Sequence, residues 1–211
     1  MNKTKKPRQK PGRPKDLEKK QAVLDAAKCL FLSQGYDATS MDAIAQSAGV
    51  SKLTLYSHFN DKDTLFSHAV RSHCETQMPS ELFNYKPEQS IEQQLRNIAY
   101  AVVSLIYDPE AIQLHRLIVA ASQKDNRLAQ LFFDAGPKRL IMELERLLRD
   151  ACAAQQLQIA DPAQAADQFF CLVKGLNHMR VLTGCLDTPA LPHEQEHIDA
   201  ALELFLKAYR A

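Results

Sequence analysis

The chain has 211 residues, of which 45% are hydrophobic and 24% charged, which is enough apolar material for a sizeable core and excludes a wholly disordered chain. Its 26 basic and 25 acidic residues nearly cancel overall but not locally: residues 1–71 carry 13 Lys and Arg against 7 Asp and Glu, and residues 72–211 carry 13 against 18. No apolar run reaches the roughly 20 residues of a membrane span, and five cysteines without a C-x-x-C pair fit reduced thiols in a cytoplasmic protein with no membrane partner.

Residues 1–17 hold seven basic side chains and three prolines without an apolar period, and read as a flexible basic arm. From about Glu18 onward nearly everything reads as helix. Val23, Ala27, Leu30 and Phe31 recur at helical spacing up to Gly35, a stop signal. Ser40 and Ser51 are placed to cap two short helices, over residues 41–48 and 52–58. A fourth helix spans about 61–78 and ends at Pro79. Ser90 with Gln93 makes a capping box for a helix bearing Ile91, Leu95, Ile98, Val102 and Ile106. Asp108-Pro109 and Asp161-Pro162 mark two further starts. Gly136-Pro137 divides a short helix over 128–135 from a long one over 138–155, and a last helix covers about 193–209. Strand-like alternation is scarce, so the expected fold is all-α with nine or ten helices.

The stretch SMDAIAQSAGVSKLTLYSHF, residues 40–59, carries the functional signal. Ala45 lies four residues before Gly49, and Leu55 lies six after it. In a helix-turn-helix the first position is small because two helices cross there. The second suits glycine because the tight turn takes a positive φ, and the third is buried and apolar. Ile44, Val50 and Leu55 would fill the space between the helices, and Phe59 joins the core. The second helix then presents Lys52, Leu53, Thr54, Ser57 and His58 outward, several of them able to bond phosphates or base edges in a major groove. A helical hairpin inside an enzyme, with Ala45, Gly49 and Leu55 coinciding by chance, is the competing reading.

The surroundings separate the two. An amphipathic helix ending in Gly35-Tyr36, the Thr39-Ser40 start and the string AGVSKLTLYSHFNDKDTLF (residues 48–66) resemble the N-terminal domain of TetR-family transcriptional regulators over residues 19–70. The resemblance implies a three-helix DNA-binding domain over 18–71, connected by the helix at 61–78 to a helical effector-binding and dimerisation domain over 72–211. It also implies that Thr39, Ser40, Thr54, Tyr56 and Lys62 meet backbone phosphates. Lys52, Leu53, Ser57 and His58 fall on its base-reading face, Leu53 standing where many members have glycine or alanine. In the arm, KPGRPK (residues 10–15) resembles the AT-hook without its leading arginine, which implies insertion of Arg13 into a narrow minor groove. A solvated basic tail supplying non-specific attraction is the plainer alternative.

Residues 113–184 resemble the AefR-like class of C-terminal TetR domains, which implies a homodimer packed through the last two long helices. Leu140, Leu144, Leu147 and Ala151 form one apolar stripe, and Phe169, Val173, Leu176 and Met179 form another. Both are expected at the dimer interface unless they face their own subunit. His115, Arg116, Asn177 and His178 are polar groups on otherwise apolar helices. They are either satisfied core residues or the orienting groups of a small-molecule pocket, which Phe132, Phe133, Met142 and Phe170 would line if they do not simply fill the core.

One string belongs to a different class of protein. His193-Glu194-Gln195-Glu196-His197 matches H-E-x-x-H, which on a helix sets two histidines on one face to hold zinc, with the glutamate as base. Only 14 residues follow His197, without a further histidine. The expected function is therefore that of a ligand-responsive transcriptional regulator with no enzymatic activity, metal or cofactor. It would act as a homodimer at a palindromic double-stranded DNA operator, from which a small molecule releases it. The alternatives are a helical ligand-binding or interaction protein with a vestigial DNA head, and a zinc metalloprotein using His193 and His197.

Overall fold

The computed structural model of the chain describes residues 13–123, 125–186 and 194–211. The arm before residue 13, the side chain of Arg13 and His193 lie outside the described residues. Among the described residues the fold is all-helical. The helices are α1 (Arg13–Gln34), α2 (Met41–Ser47), α3 (Lys52–His58), α4 (Lys62–Gln77), α5 (Ile91–Ile106), α6 (Pro109–Ala121), α7 (Arg127–Ala135), α8 (Pro137–Ala153), α9 (Pro162–Lys174), α10 (Asn177–Leu182) and α11 (Glu194–Tyr209). A single 3-10 turn, Ser80–Phe83, follows α4. The chain divides into one compact unit ending at Ala69 and another running from Val70 to Ala211.

Local capping decides where most helices start. Ser40 Oγ accepts from the Ala43 N–H and Ser51 Oγ from the Thr54 N–H, each at 3.1 Å. Asp108 and Asp161 each accept from two N–H groups just beyond their prolines. Ser90 caps α5 in the same way, but the Gln93 amide turns to Asn97, so only half of the capping box forms. Helix α1 begins at Arg13, ahead of the expected start near Glu18; Pro14 sits in its first turn, where a missing N–H costs nothing.

In the first unit α1, α2 and α3 pack on one another around an aromatic trio. Phe31 stacks on Tyr36 at 5.4 Å, and Phe66 meets both rings edge-on at 5.5 Å. Val23, Ala27, Ile44, Leu55, Phe59 and Leu65 close the core, each large side chain contributing about 2 kcal/mol by leaving water. In the second unit α8 lies along α9, α5 packs on α9 and α11, α7 joins α6 to α8, and α10 rests on α6. No helix of the described residues is long and apolar enough to cross a membrane.

Six of the eight residues expected at the dimer interface face their own chain. Leu140, Leu144, Leu147 and Ala151 of α8 and Phe169 and Val173 of α9 are buried within their own chain, because the two helices spend their apolar faces on each other and on α5 and α11. The second stripe also presumes one continuous helix, and the helix stops short. Gly175 ends α9 with φ +59° and ψ −177°, a conformation confined in practice to glycine. A Cβ at this position would lie 2.8 Å from the His197 ring. The chain therefore turns at Gly175, and Leu176 and Met179 are carried outward to 68% and 58% exposure.

Candidate nucleic-acid interface and effector cluster

The turn between α2 and α3 is built by a small set of backbone bonds. The Val50 N–H donates to the Ala45 carbonyl at 3.0 Å and the Gly49 N–H to the Gln46 carbonyl at 3.2 Å. This pair closes a helix C-terminus when the residue after the cap is left-handed. Gly49 supplies that conformation at φ +65°. Ala45, Ile44, Leu55 and Phe59 are buried and Val50 is half-buried, so the two short helices cross as the spacing predicts.

Leu55 is the sole residue of α3 buried in the core. Lys52, Leu53, Tyr56 and Ser57 stand exposed, with Ser40 and Ser51 exposed at the two caps. Thr54 is half-buried, its hydroxyl 2.9 Å from that of Ser51. The Ser57 hydroxyl donates to the Thr54 carbonyl at 2.6 Å. Lys52 Nζ reaches Asp42 Oδ2 of α2 at 2.6 Å, an exposed ion pair that the sequence reading missed. Ten residues separate the two, and only the crossing of α2 and α3 brings them together.

Three expected contact residues face inward instead. Thr39 is 1% exposed, and its hydroxyl donates to the Gly35 carbonyl at 2.7 Å and the Leu30 carbonyl at 3.2 Å. Lys62 Nζ donates to the carbonyls of Tyr36, Thr39 and Asp37 at 2.8, 3.0 and 3.4 Å, and lies 4.3 Å from the centre of the Tyr36 ring. Three carbonyls take up the three donors of the ammonium, so Lys62 here fastens the start of α4 to the end of α1 and does not stand free for a phosphate. The side chain of His58 is only 13% exposed and turns to α1, Nε2 lying 3.2 Å from Asp16 Oδ1. It is not on the base-reading face.

In the C-terminal unit the residues expected around a pocket separate into two groups. His115 of α6, Phe132 of α7 and His178 of α10 converge, joined by Tyr107 at the end of α5, which sequence reasoning missed. Their rings meet edge-on: His115 with Phe132 at 5.0 Å, His115 with His178 at 5.4 Å and Tyr107 with His178 at 5.7 Å. Burial, reinforced by His115 and Lys174, lowers the His178 pKa to about 4, and burial lowers that of His115 as well.

The other expected residues stand elsewhere. Arg116 donates to the Leu182 and Val181 carbonyls at 3.0 and 2.7 Å, capping the end of α10. Asn177 Oδ1 accepts from Arg180 at 3.0 Å. Phe133 and Met142 point to solvent, and Phe170 packs against Phe169. Within the H-E-x-x-H string, His197 is committed to the fold, Nε2 standing 3.1 Å from the Val173 carbonyl. Among the described residues no group of three His, Cys, Asp or Glu side chains is placed to hold a metal ion.

Two short helices crossed at a small residue about a glycine turn, with the second exposing most of its side chains, define a helix-turn-helix DNA-binding protein. Residues 23–69 match the tetR family of bacterial regulatory proteins, and residues 93–211 match the C-terminal domain of AefR-like transcriptional repressors. The chain belongs to the TetR family of transcriptional regulators. It is similar to the HTH-type transcriptional regulator SrpR of Pseudomonas putida, 26% identical over 142 residues that span 67% of this chain and 65% of that one. A solved TetR-family regulator from Mesorhizobium loti is 27% identical, covering 93% of this chain and 98% of its own, with a TM-score of 0.75. The solved structure of the Flavonoid-responsive Regulator FrrA is 36% identical, covering 91% and 97%, with a TM-score of 0.73.

Proposed function

We propose that this protein is a cytoplasmic repressor that binds a palindromic operator as a homodimer and is released by a small molecule held in its C-terminal unit. The observation that carries the reading is the outer face of α3, where Lys52, Leu53, Tyr56 and Ser57 stand exposed on a helix anchored by Leu55. Ser40, Ser51 and Thr54 flank that face as phosphate contacts, and Lys52 and Ser57 reach base edges. The similarity to AefR-like repressors supports repression, and the similarity to a regulator described as flavonoid-responsive supports an aromatic effector. Leu176, Met179 and, on α11, Leu204 are exposed apolar side chains that suit a second copy of the chain.

Footprinting of bound genomic sites identifies the operator, and titrations on it test the docking. Tyr56→Ala is expected to weaken binding to every sequence by about tenfold, because a phosphate contact carries no base information. Lys52→Ala should lower discrimination between operator variants and flatten the dependence on salt. Unaltered affinity in Tyr56→Ala would mean that α3 does not dock as described. A small molecule that binds a chain without operator affinity would favour the vestigial-head reading.

A further inference from the structure

The ring cluster of Tyr107, His115, Phe132 and His178 contains an unmet polar atom. His178 is 5% exposed, and its Nε2 is buried without a hydrogen-bond partner. A buried polar atom left in this way loses the bonds that water would give it. Tyr107 and His115 meet the His178 ring edge-on, Lys174 is near enough to disfavour its charged form, and His115 and Phe132 are half-buried.

The chemistry of that atom follows from the carbonyls that the two imidazoles face. A carbonyl oxygen only accepts, so a ring nitrogen bonded to it must carry the proton. His115 Nδ1 lies 2.7 Å from the Ala111 carbonyl, which fixes the neutral ring with its proton on Nδ1 and a lone pair on Nε2. The Ile106 carbonyl beside the His178 ring favours a ring N–H, and because Nε2 is unpartnered we assign the proton to Nδ1 and a bare lone pair to Nε2. Both rings are held neutral at ordinary pH by burial. The cluster thus offers hydrogen-bond acceptors, among faces and edges suited to a flat ring.

Resting on the ligand-responsive reading above, we propose that this cluster is the polar anchor of the effector and that the effector is an aromatic hydroxyl compound. Its O–H donates to Nε2 of His178, and its ring packs among Tyr107, His115 and Phe132. An aromatic carboxylate would set its own lone pairs against that of the imidazole. An ether of the same shape would fill the space and leave the lone pair unmet.

Calorimetric titration of the full chain with 2-naphthol, 2-methoxynaphthalene and 2-naphthoate at neutral pH tests the class of ligand without any variant. 2-Naphthol is expected to bind about tenfold more tightly than its methyl ether, with 2-naphthoate weakest. Equal affinity of naphthol and ether, or tightest binding of the naphthoate, overturns the hydroxyl class; no binding by any of the three overturns the site. His178→Phe should erase the preference for naphthol while the ether still binds. Should that variant lose its helical circular dichroism, the imidazole 15N resonances of the wild-type chain replace it. Naphthol must shift the unprotonated nitrogen of His178, and an unmoved resonance overturns the anchor. Release of operator DNA, followed in parallel by fluorescence anisotropy, keeps the two readings apart. Naphthol binding without release sinks the ligand-responsive reading alone, and release by other compounds with no naphthol binding sinks the anchor alone.

Discussion

In the unit ending at Ala69, Lys62 and Thr39 turn inward and close the fold, while His58 Nε2 has the Asp16 carboxylate nearby but no hydrogen bond. Lys62 gives its protons to three carbonyls near the end of α1, and Thr39 bonds two more. In the unit beginning at Val70 the inward polar groups divide. The Gln94 amide is met by Lys86 and Gln89, whereas His178 retains an unmet nitrogen. A small unit buries a smaller share of its surface and has less apolar free energy to spare. It recruits side chains that sequence alone assigns to DNA and uses them as ties. The larger unit has core enough to carry one ring nitrogen that bonds nothing, on a side chain otherwise packed against Tyr107 and His115.

The largest test of that contrast lies at Gly175. Gly175→Ala puts a Cβ 2.8 Å from the His197 ring and a side chain into a glycine conformation. It should cost about 3 kcal/mol, read as a lower midpoint in urea unfolding. Adding His197→Ala should recover the steric part and leave the backbone part. An unchanged midpoint would show that this contact does not hold the end of α9.

A loss of similar size is expected from acid. The His178 pKa is about 4 in the folded chain against about 6.5 unfolded, so on acidification the unfolded chain takes up its proton first. The contribution of the neutral ring is whole above the unfolded value. It falls by up to about 3 kcal/mol as the pH drops through the folded value, and is level below it. His115, lowered by the same burial, acts in the same direction. Unfolding free energies measured across that range should lose most of their slope in His178→Phe, which leaves the neighbouring Tyr107, His115 and Lys174 in place. An identical slope in the variant would place the proton uptake elsewhere.

Lys62→Met should destabilise the first unit by about 2 kcal/mol, with operator affinity falling as a consequence. If affinity falls while the unfolding midpoint stays put, Lys62 is a phosphate ligand and the contrast between the units fails. The smallest change is Asp42→Asn, which frees Lys52 from an exposed ion pair. Stability should move by no more than about 0.5 kcal/mol, while affinity for DNA at low salt rises about twofold. A fall in affinity would mean that Asp42 orients Lys52 productively.

These outcomes bear on what a sequence can disclose. Helix starts were legible because a cap is a local device: Ser40, Ser51, Asp108 and Asp161 each bond an N–H within three residues. The helix-turn-helix was legible because Ala45, Gly49 and Leu55 answer to one short-range geometry. Direction was not legible where the deciding partner is remote in the chain. His58 reads as an outward polar residue until Asp16 of α1 is beside it, and Thr39 until the Leu30 and Gly35 carbonyls are. The α8 stripe is a true apolar face, but periodicity tells that a face is covered and not by what; α9 covers it. Tyr107 carries no motif of its own, and only the packing of α6 and α10 makes it part of a cluster.

The brevity of α3 has a consequence that can be counted in letters. Seven residues at the helical rise make about 10 Å, and base steps follow one another at about 3.4 Å. A helix of this length therefore passes about three base pairs, which spell about 64 words. Any such word recurs about tens of thousands of times in a bacterial chromosome, among its millions of competing sites. One head is a short address shared by many sites. In the proposed homodimer a second head reads a second word at a set distance from the first, and that distance becomes part of the spelling. Changing it misspells the address without touching a single letter.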